Sequence, residues 1–229
     1  MNIRCFSSGS KGNCYLINNE LLIECGISYK ELQKALNFDF SRISGCLVSH
    51  FHADHSKCFR ELLKNGIDCY MSDGTMAALN AHGLCFLYSV KSGKGCRIQD
   101  YYILPFETEH DADESLGFLI YREGERLLYI TDSYYCKYKF IGLNFIMIEC
   151  NYSLDILNAN IESGRIPEAM KHRLLKSHFS LENVKKFLTA NDLSQVQQIY
   201  LIHLSDSNSN ADGFQREIHE LTGKEVIVC

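Results

Sequence analysis

The chain has 229 residues, of which 46% are apolar and 22% are charged, and only two are prolines. This composition is typical of a folded globular protein, and it excludes both an intrinsically disordered chain and a small disulfide-stapled scaffold. Lys and Arg total 23 against 28 Asp and Glu, a net charge of -5. That balance excludes a surface that is basic all over, but it leaves room for a local basic stripe that binds nucleic acid.

Eleven cysteines are spread along the chain. They include no C-x2-C or C-x4-C pair, which argues against a zinc finger. Many lie within apolar runs, where a free thiol behaves as a small hydrophobic group. We therefore predict a reducing, cytoplasmic location. The sequence lacks a signal-peptide pattern and an apolar run long enough to cross a bilayer, so we expect no membrane partner.

Short apolar runs bounded by turn residues predict the first strands, at 15–17, 21–23, 46–48, 68–71 and 101–104. The first two face each other across Asn19-Glu20, as in a tight hairpin. Helix patterns lie between the strands, at 29–36, 56–65 and 75–82. Gly66 and Gly83 follow the last two helices and predict their ends.

The second half continues the alternation. Strands are predicted at 116–122, 126–130 and 145–149, with a hairpin turn at Glu123-Gly124 between the first two. Ser180 is placed to cap a helix with one apolar face. A strand at 199–202, a helix at 214–221 ended by Gly223 and a strand at 226–228 follow. Without a break in composition, this alternation predicts one α/β domain over residues 1–229.

The most distinctive segment is residues 50–55, His-Phe-His-Ala-Asp-His, at the end of a predicted strand. On extended backbone alternate residues share a face, so His50 and His52 project to one side and Asp54 can follow them. His55 then reaches over from the start of the next helix. Buried imidazoles and carboxylates are costly without partners, whereas mixed nitrogen and oxygen donors suit Zn, Mn or Fe. We interpret the segment as a metal-binding loop rather than a solvated His-rich loop.

Three further candidate ligands stand at or just beyond the ends of predicted strands: His110, Asp132 and His203. The carboxyl ends of strands are where α/β proteins build their sites. Taken singly, each residue is also compatible with a hydrogen-bonded His or an Asp in a turn. Together with residues 50–55 they provide enough donors for two metal ions.

The sequence resembles the metallo-β-lactamase fold superfamily, because residues 50–55 match its HxHxDH motif. His110, Asp132 and His203 follow in the order of the remaining metal motifs of that superfamily. The resemblance implies an αββα sandwich, in which two mixed β-sheets are flanked by helices. A closer resemblance, to the YycJ/WalJ-like group of exonuclease-like proteins, spans almost the whole chain. It rests on segments 8–14, 129–132, 149–152, 173–180 and 199–205.

The resemblance implies a centre of two divalent metal ions, Zn or Mn, with Fe as an alternative. The implied ligands are His50, His52 and His110 for the first ion, Asp54, His55 and His203 for the second, and Asp132 as the bridge. Two cations about 3.5–4 Å apart lower the pKa of a bridging water and clamp both reacting oxygens of a phosphodiester. The nucleophile would be a hydroxide that these ions activate, with Asp54 helping to orient it.

His178 favours phosphodiester chemistry within the superfamily. Ribonuclease Z and related nucleases have a His-Ser-Thr segment before the last metal-ligating His, and residues 178–180 read His-Phe-Ser. The resemblance implies that His178 contacts the scissile phosphate and protonates the leaving oxygen. A pKa in the neutral range suits a general acid, and a neighbouring helix N-terminus favours an anion. A structural His in front of a helix cap is the alternative.

A cluster of basic residues precedes His178. The candidates for binding phosphates along a nucleic-acid strand are Arg165, Lys171, Arg173 and Lys176. A charge run of this kind is equally compatible with a solvated helix face.

Two positions depart from the pattern of the resemblance. Glu24 stands where the superfamily commonly has Asp, and the extra methylene group affects how the metal loop is supported. Tyr152 stands where close relatives often have His.

Together these features predict a metal-dependent phosphodiesterase, specifically a nuclease acting on DNA. The first alternative is a small-molecule hydrolase that uses the same ions on a cyclic nucleotide, a lactone or a thioester. The second is a non-catalytic binding module that keeps the fold, against which the complete ligand set counts. The oligomeric state is left open by the sequence.

Overall fold

A computed structural model describes residues 1–229. The chain is organised as two compact units, residues 1–107 with 112–122 and residues 108–111 with 123–229. Strands alternate with helices in both units, as the sequence predicts for an α/β protein. The single domain over 1–229 stays a prediction. None of the helices combines the length and the apolar character that a membrane crossing requires.

The first unit contains a six-stranded mixed sheet. Its strands are β1 (Ile3–Ser7), β2 (Cys14–Ile17), β3 (Leu21–Ile23), β4 (Gly45–Leu47), β5 (Cys69–Met71) and β6 (Leu87–Ser89), paired in chain order. The β1–β2 and β2–β3 pairs are antiparallel, and the pairs from β3 to β6 are parallel. The predicted hairpin is confirmed: Asn18 and Asn19, with φ of 51° and 59°, turn the chain between β2 and β3.

Four helices belong to the same unit: α1 (Tyr29–Ala35), α2 (Ala53–Ser56), α3 (Phe59–Lys64) and α4 (Asp73–Ala78). Ser28 and Glu31 form a capping box at the start of α1. The helix predicted at 56–65 is in fact α2 and α3, because the chain leaves helical geometry at Cys58. The helix predicted at 75–82 begins earlier, because the Ser72 hydroxyl accepts a hydrogen bond from Thr75 N and caps α4. It also ends earlier, at Ala78, so the predicted stop at Gly83 is wrong.

Buried side chains of β2–β5 and of these helices form the core of the first unit, which includes five buried cysteines. Three further strands, β7 (Cys96–Ile98), β8 (Tyr101–Glu107) and β9 (Leu116–Arg122), pair antiparallel in this order. The sequence prediction omitted β1, β6 and β7, whose residues are mostly exposed or only partly buried and carry a weak apolar pattern.

The second unit has a parallel arrangement of four strands: β10 (Glu125–Ile130), β11 (Phe145–Glu149), β12 (Gln198–Ile202) and β13 (Glu225–Val228). Its helices are α5 (Leu154–Glu162), α6 (Glu168–Ser177), α7 (Leu181–Ala190) and α8 (Ala211–Thr222). The predicted cap of α7 by Ser180 and the predicted stop of α8 at Gly223, where φ is 65°, are both confirmed. The strands β10, β11 and β12 run side by side, so their carboxyl ends meet at one edge.

Candidate metal centre

The loop at residues 50–55 follows β4 and runs into α2. His52 is the N-cap of α2, and Asp54 and His55 stand in the helix itself. His50 and His55 are fully buried, while the Asp54 side chain is 24% exposed. Ring nitrogens Nε2 of His50 and Nδ1 of His52 lie 3.0 Å apart. That separation is close to the edge of about 3.3 Å expected for a tetrahedron with metal–nitrogen bonds of 2.0–2.1 Å.

The other ring nitrogens of this loop have their own polar neighbours. Ser49 Oγ lies 2.9 Å from His50 Nδ1. Glu24 Oε1 lies 3.5 Å from His55 Nδ1, and Glu24 Oε2 accepts a hydrogen bond from Ser49 N at 3.2 Å. Partners of this kind orient a metal-ligating His and select its tautomer. The mixed nitrogen and oxygen donors of this loop therefore fit a divalent cation.

Glu24 fills the position where the sequence departs from the superfamily pattern. It follows β3, is fully buried and adopts a left-handed φ of 62°. Non-glycine residues hold this conformation only where the surrounding structure compensates for the strain. Here the longer side chain connects the backbone of Ser49 to the ring of His55. Glu24 thus supports the ligand loop through Ser49 and His55 and is not itself one of the implied ligands.

The turn at residues 8–14, between β1 and β2, also supports the loop. Asn13 is fully buried, and its Nδ2 lies 3.2 Å from His55 Nε2 and donates to the carbonyl of Asp54. Asn13 N also donates to Asp54 O at 2.7 Å. Gly26 packs so tightly here that a Cβ atom on it would stand 1.7 Å from Asp54 O. Main-chain contacts therefore hold the ligand loop in place.

The second unit brings Asp132 and His203 together. Each follows a strand of the parallel group, β10 for Asp132 and β12 for His203, and each has a left-handed φ, 43° and 53°. Both are almost completely buried. His203 Nδ1 lies 2.6 Å from Asp132 Oδ1, which makes Nε2 the candidate metal-ligand atom of His203. Two strained polar residues side by side at a strand edge mark a functional position.

His110 belongs to the same unit. Its Nδ1 donates to the carbonyl of Ser177 at 3.1 Å, which directs the lone pair to Nε2. That Nε2 lies 3.7 Å from Asp132 Oδ2 and 3.2 Å from Asp111 Oδ1. Burial lowers the pKa of His110 below its usual value, and this outweighs the opposite effect of the nearby carboxylates. A neutral imidazole with a free Nε2 lone pair is the form that binds a metal.

Glu149 is the residue that sequence reasoning missed as a functional group. It ends β11 and is fully buried. Its Oε1 accepts from His178 Nδ1 at 2.6 Å and from His203 Nδ1 at 3.1 Å. Its Oε2 accepts from the backbone NH groups of Ser133 and Phe179, both at 3.1 Å. The ligand atoms of Asp132, Glu149, His178 and His203 lie within 4.8 Å of one another.

Four hydrogen bonds use the four lone-pair positions of the Glu149 carboxylate. Glu149 therefore acts as an orienting group for the two imidazoles, and Asp132 and His203 remain as donors for a metal. Burial would raise the pKa of Glu149, but the charge of His178 and the hydrogen bonds from both imidazoles lower it. The one sequence signal for this role is a Glu at the carboxyl end of an otherwise apolar strand.

His178 lies between two helices, as the C-cap of α6 and two residues before the N-cap of α7. Its side chain is 16% exposed. Burial would lower the pKa of His178, but the charge of Glu149 and the hydrogen bond to it raise the pKa above its usual value. The Glu149 bond through Nδ1 leaves Nε2 of a protonated His178 with a proton to donate.

The predicted phosphate-binding residues fall on or just before α6. Lys171 donates to Asn158 Oδ1 at 2.7 Å, and Arg173 Nε lies 3.8 Å from Asp111 Oδ2. Lys176 stands in the last turn of α6, and Arg165 lies in the turn that precedes the helix. All but the half-buried Lys171 are exposed. Tyr152, the other departure from the pattern, is a core residue packed with Leu157 and Ile166.

Comparison with known proteins gives a family and a curated relative. A family model described as "Beta-lactamase superfamily domain" matches residues 19–204. The exodeoxyribonuclease YycJ of Bacillus anthracis is 28% identical over 222 residues, which cover 89% of this chain and 82% of that protein. The predicted resemblance is confirmed at both levels.

Solved structures share the fold. The metallo-β-lactamase fold protein YhfI from Bacillus subtilis matches with a TM-score of 0.74 at 14% identity, over 99% of this chain and 95% of that one. Zn²⁺-bound PqqB from Methylobacterium extorquens matches with a TM-score of 0.68 at 12% identity, over 100% and 97% of the two chains. The predicted fold class, two mixed β-sheets flanked by helices, is confirmed.

Proposed function

The chain belongs to the β-lactamase superfamily and is a metal-dependent hydrolase of the metallo-β-lactamase fold, and we propose that it hydrolyses phosphodiester bonds in DNA as an exonuclease. The relation to an exodeoxyribonuclease at 28% identity supports this substrate class. The observation that carries the proposal is the 2.6 Å contact between His178 and the buried Glu149 carboxylate, beside Asp132 and His203.

A general acid is required because the leaving oxygen of a phosphodiester needs a proton. The carboxylate at Nδ1 raises the pKa of His178 and so favours the protonated ring, whose Nε2–H can be donated to the leaving oxygen. A thioester or a lactone has no scissile phosphate, so its hydrolysis has less need of a cationic group that contacts phosphate. The His178–Glu149 pair therefore favours phosphodiester chemistry over these alternatives.

We assign the ligands as the family resemblance implies. His50, His52 and His110 would hold one ion, Asp54, His55 and His203 would hold a second, and Asp132 would contribute to both. Divalent ions at such ligands supply Lewis acidity, which activates water and stabilises charge on the phosphate. We propose Zn or Mn, with Fe as an alternative, since nitrogen and oxygen ligands accept all three.

The remaining residues have the following roles in the proposal. Asp54, which is partly exposed, orients the attacking water. After attack at phosphorus, His178 transfers its Nε2 proton to the departing 3′ or 5′ oxygen, and Glu149 holds the resulting neutral ring in place. Arg165, Lys171, Arg173 and Lys176 contact phosphates farther along the strand.

The reducing, cytoplasmic location remains part of this proposal. All eleven cysteines are free, which agrees with a chain that works where thiols stay reduced.

The proposal is tested by cleavage of end-labelled single- and double-stranded DNA and RNA, with protein loaded with Mn or Zn. We expect metal-dependent degradation of DNA that Asp132→Ala abolishes and that His178→Ala lowers by about 10²–10⁴-fold at unchanged metal content. Full turnover in His178→Ala would remove the general-acid role. If no polymer is cut while a cyclic nucleotide or a lactone is hydrolysed, the chain is a small-molecule hydrolase instead.

A further inference from the structure

The segment after Asp132 and the helix after His178 form a groove in the second unit. Its volume is about 250 Å³, and its aromatic lining comes from Tyr135, Tyr138, Phe179 and Phe187. Tyr135 is 55% exposed, whereas the two phenylalanines are buried and pack together with a ring-centroid distance of 6.5 Å. The groove lining therefore combines buried apolar rings with an accessible aromatic ring.

Lysines surround this aromatic groove. Lys137, Lys139 and Lys186 line it, and its lining contains no Asp or Glu. All three lysines are exposed. Lys137 Nζ stands 5.4 Å from the centre of the Tyr138 ring and 3.5 Å from Glu109 Oε1. The groove thus combines positive charge at its rim with aromatic faces inside, although the net charge of the chain is -5.

The groove is continuous with the candidate site through the backbone. Ser133, next to Asp132, donates from Oγ to the carbonyl of Tyr135 at 2.7 Å, and its NH donates to Glu149. Phe179, next to His178, lines the groove and donates its own NH to Glu149. Asn183 Nδ2 donates to Tyr134 O at 3.0 Å and ties the 133–139 segment to α7. The same carboxylate therefore anchors the general acid and both walls of the groove.

From this arrangement we infer that the groove binds single-stranded DNA next to the cleavage site, with a base stacked on Tyr135 or Tyr138 and phosphates held by Lys137, Lys139 and Lys186. Stacking on aromatic rings within a basic groove is how proteins bind single strands without reading their sequence. The volume is below the roughly 300–1,000 Å³ of common ligand pockets, and it suits one planar base rather than a duplex. This inference rests on the proposed function and adds a substrate-binding surface to it.

The test measures binding apart from cleavage. A fluorescein-labelled phosphorothioate oligothymidylate, which resists hydrolysis, is titrated with the full chain and followed by fluorescence anisotropy. The test variant is Tyr135→Ala with Lys139→Ala, and the matched control is Tyr88→Ala with Lys64→Ala, an exposed Tyr and an exposed Lys of the first unit. We expect at least about a fivefold rise in Kd for the test variant, since stacking contributes about 1–3 kcal/mol per base. The control should bind like the wild type.

The salt dependence of Kd and two conservative variants test the separate roles of the lysine and the tyrosine. Loss of one phosphate contact should reduce the slope of log Kd against log salt by about 0.7 in Lys139→Gln. Tyr135→Phe keeps the stacking face and should retain wild-type affinity. An unchanged Kd in the double variant, or an equal loss in the control, would overturn the inference, as would a wild type that does not bind the oligonucleotide.

The two proposals fail separately. If end-labelled DNA is degraded but the groove variant binds as well as the wild type, the nuclease stands and the groove does not. If the oligonucleotide binds through Tyr135 and Lys139 but DNA is never cut, the groove stands and the nuclease does not.

Discussion

The loop at residues 50–55 and the cluster around Glu149 present metal-type ligands in two different ways. In the first, the ligands are nearly contiguous in sequence, and main-chain contacts from Asn13 and Gly26 hold them. In the second, they come from separate strand ends and a helix junction, and one buried carboxylate joins them. The loop at residues 50–55 therefore depends on close main-chain packing, whereas the cluster around Glu149 depends on the charge of one buried carboxylate.

The largest expected effect comes from Gly26→Ala, which disturbs the main-chain packing against the ligand loop. A methyl group there would meet Asp54 O at 1.7 Å, and a backbone atom cannot yield as a flexible side chain does. We expect a loss of about 3 kcal/mol in the free energy of unfolding, together with loss of metal bound by the loop. Chemical denaturation and metal analysis measure the two effects.

Gly66→Ala is the control for this substitution. Gly66 has φ of 73° and no atom within 4 Å of the added methyl group, so only the strain of about 1–2 kcal/mol applies. Equal losses in the two variants would show that the tight approach of Gly26 to the ligand loop is unimportant.

The next largest effect is expected for Glu149→Gln, which removes the charge from the second cluster but keeps its size. We expect kcat/KM to fall by about 100-fold or more, because orientation of His203 and protonation of His178 both suffer. The charge of Glu149 raises the pKa of His178, so its removal lowers that pKa. The protonated acid is then lost at lower pH, and the alkaline limb of the pH–rate profile moves to lower pH.

Glu182→Gln makes the same chemical change in the same unit. Glu182 is half-buried and accepts from Leu154 N, away from His178. We expect its pH–rate profile to match the wild type. A profile that stays in place in Glu149→Gln would contradict the role of this carboxylate in holding the proton on His178.

A smaller effect is expected for Glu24→Asp, which introduces the residue of the superfamily pattern. The shorter side chain withdraws from His55 Nδ1, now 3.5 Å away, or from Ser49 N. We expect about a tenfold loss of metal affinity, measured by calorimetric titration with Zn or Mn. Glu20→Asp, in the same hairpin, should leave the affinity unchanged. Tighter binding in Glu24→Asp would mean that the longer side chain weakens the centre.

The smallest effect is expected for Tyr152→Phe, which lies near the second cluster in sequence but belongs to the core. Tyr152 is 1% exposed and packs among Leu157 and Ile166. Removing its hydroxyl should change the free energy of unfolding by less than about 1 kcal/mol and leave turnover of DNA intact. A large loss of turnover would place Tyr152 in the chemistry after all.

Local features of the fold follow from the sequence because they depend on neighbouring residues. The β2–β3 hairpin, the Ser180 cap and the Gly223 stop are decided within a few residues, and all are confirmed. The predicted extent of the helix at 56–65 was wrong, because no Gly or Pro near Cys58 indicates the break there. Strands with exposed residues, such as β6, were missed because they lack the apolar pattern.

The family, the α/β class and the candidate ligands follow from the amino-acid sequence, because the HxHxDH segment is contiguous and the other candidates follow apolar strands. The three-dimensional structure adds that Glu149 accepts hydrogen bonds from two imidazoles, that Asn13 supports His55, and that Tyr135 and Lys186 line one groove. Those contacts join residues far apart along the chain. They depend on strand order and register, which no local pattern of residues specifies.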